Sequence, residues 1–472
     1  MNKALNREIL RLSLPSILAG ITVPLVGMVD TAVAGHLGGD TAAQIGAISV
    51  GSMVLTLLYW TFGFLRTGTG GLTAQAFGRE DPAEAGRIFL RGTGLALLAA
   101  FAAIVLQWPF FKGVMLLTDA TPEVKLLAER YFFIRIWAAP ATMSLMTLRG
   151  WLVGMQNSVD SMWLDLIINA VNIGASILLA FGVGSWPGLG FIGIPLGTVL
   201  AQYCGLAFGL WVCVRKYGRS VFSRLSRADV AGLLRDGSLP GFFRMNLDLL
   251  GRSFFFILIY IGFTMISAGY GDLCLAAGSI IMQLLMFFSY FTDGFAYAGE
   301  ALSGRFIGAR DGVMLRQSVR QVFIWSAGIG LLFIALYAVA GLPAVRLLTS
   351  DESVVEATRQ FLPWLLLMPP LGCAAFTWDG IYMGATATRA FRDSMGGAAM
   401  AFFVVWLIGK WLLQPEGATA IHLLFVAYFA HLAFRTFWLT VRYRRDILGL
   451  MTVASRLLPA RRDRRPRRWR RR

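Results

Sequence analysis

Gly78–Arg87 reads GREDPAEAGR, and a second version of it, GARDGVMLRQ, stands 230 residues later at Gly308–Gln317. Both are short charged loops between long apolar runs. The correspondence continues on either side. LLTDATPEV (Leu116–Val124) is matched by LLTSDESVV (Leu347–Val355) at an offset of 231, and Gly150 and Gly154 of RGWLVGM by Gly380 and Gly384 of WDGIYMG at 230. A constant offset through three separate motifs means that one unit is written twice.

Composition says what the unit is made of. The 472 residues are 57% hydrophobic and 15% charged, with a mean hydropathy of +0.64, more apolar surface than a soluble domain of this size hides. A hydrocarbon crossing takes about 20 mostly apolar residues. Twelve such segments are read, at 9–35, 45–76, 88–111, 126–148, 162–183, 190–214, 240–268, 274–304, 317–340, 355–384, 395–413 and 418–441. Six belong to each copy, and because six is even the second copy enters the membrane in the same orientation as the first. Parallel repeats about an axis along the membrane normal are a transporter architecture, with substrate handled between the halves. The predicted fold is therefore an all-α polytopic membrane protein, twelve transmembrane helices in two pseudo-symmetric six-helix lobes. The N-terminal lobe is 1–214, a cytoplasmic linker 215–239, the C-terminal lobe 240–445, and an Arg-rich tail 446–472.

Basic residues orient the spans. Loops after even-numbered spans carry Arg79, Arg87, Arg91, Arg149, Arg215, Lys216, Arg219, Arg305, Arg310, Arg316, Arg389 and Arg392, among others, whereas loops after odd-numbered spans carry mainly Lys112, Lys125 and Arg346. By the positive-inside rule the even loops and both termini are cytoplasmic. The lead MNKALNRE has no small-residue cleavage site, so no removable signal is read, and a plasma-membrane location is expected, the inner membrane if the source is bacterial. The net charge of +17 owes +8 to the tail RRDRRPRRWRRR, Arg461–Arg472. Such a segment just inside the membrane is drawn to anionic headgroups, and nucleic-acid binding is not needed to explain it.

Cys204, Cys213, Cys274 and Cys373 all lie in or beside apolar spans without metal-ligand spacing, and read as buried hydrophobes. Enzyme readings fare no better. GLGFIG (Gly188–Gly193) fits G-x-G-x-x-G but joins two membrane spans with no strand before it. No P-loop is present, and GYGD (Gly269–Asp272) lacks the Tyr-Asp pair that an intramembrane aspartyl protease carries on the neighbouring helix. Neither a cofactor nor a firm metal site is read.

Four strings resemble the multidrug and toxic compound extrusion family, in its DinF-type branch: VPLVGMVDTAVAGHLG (23–38), YWTFGFLRTGTGGLTAQAFG (59–78), FTDGFAYAGEALSGRFIG (291–308) and WDGIYMGATATRAFRDSM (378–395). The resemblance spans both halves, from about residue 8 to 445. It implies export of organic, often cationic, compounds driven by inward proton or sodium flow. In the family the first helix carries an aspartate with a proline fifteen residues earlier that lets the helix bend, and Pro15 and Asp30 have that spacing. A second family aspartate on the fifth helix follows an asparagine by four residues, and a threonine lies on the sixth. Asn172 and Thr198 match, but Ser176 stands where the second aspartate is expected.

Spacing groups these residues independently. Asp165, Asn169, Asn172 and Ser176 recur at four, three and four, one polar stripe down a helix. A mid-span aspartate costs roughly 2.5 to 3.5 kcal/mol on insertion scales and usually faces a cavity or an ion path. A carboxyl removed from water also holds its proton more tightly. Asp30 is thus read as the proton-coupling carboxylate, with Asn169, Asn172, Ser176 and Thr198 as its neighbours and Pro15 as the bend. Sodium is the alternative, disfavoured because a hard cation wants the charge and ligands of both carboxylates.

The second copy has its own stripe, Gln283, Tyr290, Asp293, Tyr297 and Glu300, at seven, three, four and three. Asp379 aligns with an acidic position that the family also uses, and His431 and Arg435 are one turn apart. Asp293, Tyr297, Glu300 and Asp379 are candidates for contact with a cationic substrate, or for an ionic network neutralised by Arg244, Arg252, Lys410 or Arg435. Arg66 reads as a counter-ion or a residue that snorkels to the inner surface. The expectation is a monomeric antiporter for small organic molecules, mainly cationic and amphipathic, in exchange for protons. A lipid-linked precursor flippase, whose cavity should be lined by cations, is the other reading.

Overall fold

The computed structural model describes residues 2–38, 40–116, 118, 120–225, 239–349 and 351–450. Most of the linker's second half and the tail from residue 451 onward, where lipid contact is expected, lie outside the described residues. The described residues form sixteen α-helices: α1 (Lys3–His36), α2 (Thr41–Thr61), α3 (Phe64–Gly78), α4 (Pro82–Val105), α5 (Gln107–Leu116), α6 (Pro122–Arg135), α7 (Ala139–Gly154), α8 (Ser158–Phe181), α9 (Gly193–Val212), α10 (Leu239–Ala268), α11 (Asp272–Gly308), α12 (Gly312–Leu348), α13 (Glu352–Arg359), α14 (Leu362–Gly384), α15 (Thr388–Leu413) and α16 (Gly417–Tyr443).

Ten helical segments are long and apolar enough to cross a membrane, and an eleventh is the pair α13 and α14, bent by 54° at its break. The count falls short of twelve at the fourth predicted span. There α6 and α7 are joined through a 3-10 turn at Ile136–Ala138, and Glu129, Arg130 and Arg135 put three charges into the run. Elsewhere the helices outrun the apolar segments, because polar caps start them in water. Asp40, Asp81 and Asp311 accept the backbone N–H of Ala43, Glu84 and Met314 at 2.9, 3.0 and 2.9 Å, satisfying donors that a helix start leaves free. The first part of the predicted linker is packed rather than extended. Lys216 pairs with Asp160 at 2.7 Å, and Tyr217 accepts from Asn157 at 2.9 Å.

The duplication is visible residue by residue. Glu80 and Arg310, and likewise Gln156 and Thr386, are non-glycine residues at positive φ, between 54° and 60°, and the members of each pair are 230 apart. Identical turns at such costly angles mark the same loop built twice. Gly78 and Gly308 approach the opposite half so closely that a Cβ on either would meet a carbonyl oxygen, of Arg305 at 2.0 Å and of Gln75 at 2.1 Å. Small residues let two helix backbones touch where a side chain would hold them apart, so α3 and α11 cross in contact. Around that crossing the halves are tied by Gln75 donating to the Gly384 carbonyl at 3.0 Å, Gln156 to the Ala301 carbonyl at 2.8 Å, Trp325 to Asn6 at 3.3 Å, and an ion pair of Glu8 with Arg305. All of these lie toward the end of the bundle where α1 begins.

Candidate functional site

Asp30 is fully buried in the second half of α1, and its surroundings come from four other helices. Tyr131 of α6 donates its hydroxyl to Oδ2 at 3.0 Å, and Thr198 of α9 approaches the same oxygen at 3.5 Å. Arg135, one turn beyond Tyr131, places Nη1 3.7 Å from Oδ2 and also donates to the Tyr131 hydroxyl and, at 3.3 Å, to Ser52 of α2. Asn172 of α8 donates to Thr198 at 2.9 Å and to Ser176 at 3.4 Å. Two acceptors in this cluster, Asp30 Oδ1 and Asn172 Oδ1, are buried without a protein partner. Orphaned buried acceptors are costly, and a proton or a bound donor would relieve them.

The spacing that brings α8 and α9 together is again set by a missing side chain. A Cβ on Gly197 would stand 2.6 Å from the Ser176 nitrogen and Oγ, so glycine at this position lets Thr198 reach Asn172. Of the residues grouped from sequence, Asp30, Asn172, Ser176 and Thr198 meet in one cluster. Asn169 sits apart, donating to the Thr22 carbonyl of α1 at 3.3 Å, and Asp165, the first residue of the stripe, is held by Arg149 at 2.6 Å. Pro15 and Pro24 both lie inside α1, which remains one helix from Lys3 to His36. Sequence reasoning misses Ser52, Tyr131 and Arg135, although Arg135 is an ionisable group in the middle of the predicted span 126–148, which is itself a signal.

Beside this cluster a cavity of about 330 Å³ runs along α1, with Arg66, Arg135, Arg149, Asp165, Asn169 and Tyr297 among its walls. Its charge is balanced from behind. Arg66 pairs with Glu300 at 3.3 Å and stacks over the Tyr297 ring at 4.2 Å, Arg149 holds Asp165, and Arg135 both lines the cavity and contacts Asp30. Glu300 is fully buried with Oε1 unpartnered. Farther into the second half, Asp379 lies between Arg252 at 3.0 Å and Arg435 at 3.5 Å, and Arg252 stacks on Phe391 at 4.2 Å. Of the four basic residues named as neutralisers, Arg252 and Arg435 reach a carboxylate of the second copy. Asp293, half-buried on α11, stands among Arg66, Arg252 and Arg435 but forms no ion pair with them. His431 bonds the Tyr428 carbonyl and is taken up within its own helix.

A bundle of this topology, duplicated and with a buried carboxylate beside an internal cavity, is a membrane transporter rather than an enzyme. The MatE family model matches the chain twice, over residues 15–178 and again over 249–413, and the chain belongs to that family. It is 33% identical over 444 residues to the DNA damage-inducible protein F of Escherichia coli strain K12, covering 93% of this chain and 92% of that one. It is 26% identical to a probable multidrug resistance protein NorM of Caulobacter vibrioides, over 87% and 85% of the two chains. The fold matches a crystal structure of MATE in the bent conformation with a TM-score of 0.77 at 16% identity, covering 96% and 97% of the chains. It also matches that of the Vibrio cholerae MATE transporter VcmN in the bent form, with a TM-score of 0.79 at 16% identity over 95% and 98%.

Proposed function

We propose that this protein is a secondary antiporter that exports small organic molecules in exchange for protons, with Asp30 as the coupling carboxylate. The observation that carries the reading is the environment of Asp30: a fully buried carboxylate with one orphaned oxygen, linked through Arg135 to the wall of the cavity. Protonation of Asp30 removes the charge that Arg135 faces, so the guanidinium is released toward the cavity and α1 repacks against α6, α8 and α9. That couples proton entry to release of whatever occupies the cavity. A sodium ion wants several oxygen ligands, whereas a proton needs only the one unpartnered oxygen, Asp30 Oδ1, which argues for protons over sodium. Ser176 in place of a second carboxylate points the same way.

The lobes of this reading are residues 1–214 and 240–445, with both termini cytoplasmic and the protein a monomer in a plasma membrane. The halves are tied at the end where α1 begins, so the described conformation is closed on the cytoplasmic side, and rocking of the lobes opens it at the α3–α11 crossing. The site is less acidic than the stripes of the second copy imply. Glu300 and Asp379 are both neutralised by arginines, which leaves Asp293 as the carboxylate for a cationic amphipath. The flippase reading gains the cavity arginines but not a net positive charge, since each has a carboxylate behind it.

The test is efflux of a fluorescent organic cation from proteoliposomes under an imposed proton or sodium gradient. The expected result is transport with the proton gradient alone, abolished in Asp30→Asn while substrate still binds. Transport driven by sodium alone, or normal transport by Asp30→Asn, would overturn the assignment.

A further inference from the structure

A cavity of about 510 Å³ opens between the start of α12 and the end of α16, lined by Arg316, Val319, Arg320, Tyr443, Arg444 and Leu448. Among the described residues no acidic side chain is in that lining. The acidic groups nearest in sequence are committed elsewhere: Asp311 caps α12, and Asp446 is held by Arg442 and Arg445 at 3.0 and 3.3 Å. Three guanidinium groups share one lining with no counter-ion in it, and like charges so placed repel one another. An anion removes that repulsion. The neighbouring cleft of about 740 Å³ differs on this point, because Asp248 and Asp446 face its arginines.

The position of the cluster says what kind of anion it takes. Ile324 follows Arg320 by four residues, and Val441 precedes Arg444 by three, so each lies one turn deeper on the same helix face. Both are exposed apolar side chains, at 43% and 62%, which suits contact with acyl chains. The arrangement is a basic rim over a lipid-facing apolar wall. We propose that Arg316, Arg320 and Arg444 bind the phosphate of an anionic phospholipid in the leaflet at which α1 begins, with Val319 and Leu448 against the first carbons of its chains.

Binding is measured on the full-length protein in neutral detergent by native mass spectrometry, with phosphatidylglycerol and phosphatidylcholine as probes. The triple variant Arg316→Gln, Arg320→Gln, Arg444→Gln is compared with a control that loses the same charge from the tail, Arg470→Gln, Arg471→Gln, Arg472→Gln. The expected result is a loss of about tenfold or more in phosphatidylglycerol affinity for the first variant, from the contribution of each basic residue near an anionic headgroup. Phosphatidylcholine should be unaffected, and the tail control, which removes three of the nine arginines of a segment drawn to headgroups generally, should lose clearly less than the cluster variant. Should the triple variant unfold early, Arg444→Gln alone carries the test, with a loss of about fivefold. An equal loss in the tail control, or none in the cluster variants, would overturn the site. Displacement of the lipid by inorganic phosphate at equal concentration would overturn the lipid as its ligand.

Discussion

At the scale of the residue, the arginines of this bundle are placed against carboxylates wherever the two are buried. Arg66 and Glu300 are the clearest pair, with the glutamate fully enclosed and the arginine reaching it across the two halves at 3.3 Å. Removing one partner of a buried pair leaves an uncompensated charge, at a cost of about 3 to 5 kcal/mol, whereas removing both is often near neutral. Arg66→Gln is therefore expected to lower thermal stability in detergent markedly, and Arg66→Gln with Glu300→Gln to recover most of it. A double variant as unstable as the single one would mean that Arg66 holds the halves together by stacking on Tyr297 instead. Asp30, Asn172, Ser176 and Thr198 are legible from sequence because three of them stand on two adjacent helices in positions that the family pattern marks. Tyr131 and Arg135 are not, since their contact with Asp30 depends on how α6 is rotated against α1.

At the scale of the element, small residues decide which helices can meet. Gly197 on α9 leaves room for the α8 backbone at Ser176, and the hydrogen bond between Asn172 and Thr198 depends on that approach. Gly197→Ala is expected to push the two helices apart, at a cost of about 1 to 3 kcal/mol of overpacking. A fall in melting temperature together with slower transport would be the signature. The fourth span shows the limit of hydropathy as a guide. Glu129, Arg130 and Arg135 make it too charged to pass as an ordinary crossing, yet Tyr131 and Arg135 on it supply the partners of Asp30. Arg135 is tolerated because the bundle interior, not lipid, surrounds much of it and Asp30 faces it.

At the scale of the molecule, the two halves meet back to back through α3 and α11, with Gly78 and Gly308 as reciprocal contacts. Rocking between the halves requires this end to open and close. Gly78→Leu places a side chain where the Arg305 carbonyl now lies, so it is expected to wedge this end apart and stop transport. Thiol labelling of an added Gln75→Cys from that face should rise at the same time. Unchanged labelling would show that the crossing is not the moving contact.

The sequence by itself determined the membrane class, the duplication and its offset, and the polar stripes, because hydropathy, charge placement and repeat spacing are properties of the chain read in order. Only the tertiary structure decided which charges cancel. Arg135 meets Asp30 from a distance of 105 residues, and Arg66 meets Glu300 from 234. Such pairs form where helices from distant parts of the chain are packed at a particular rotation, and a low-dielectric interior then makes a few ångströms the difference between a free charge and a neutral pair.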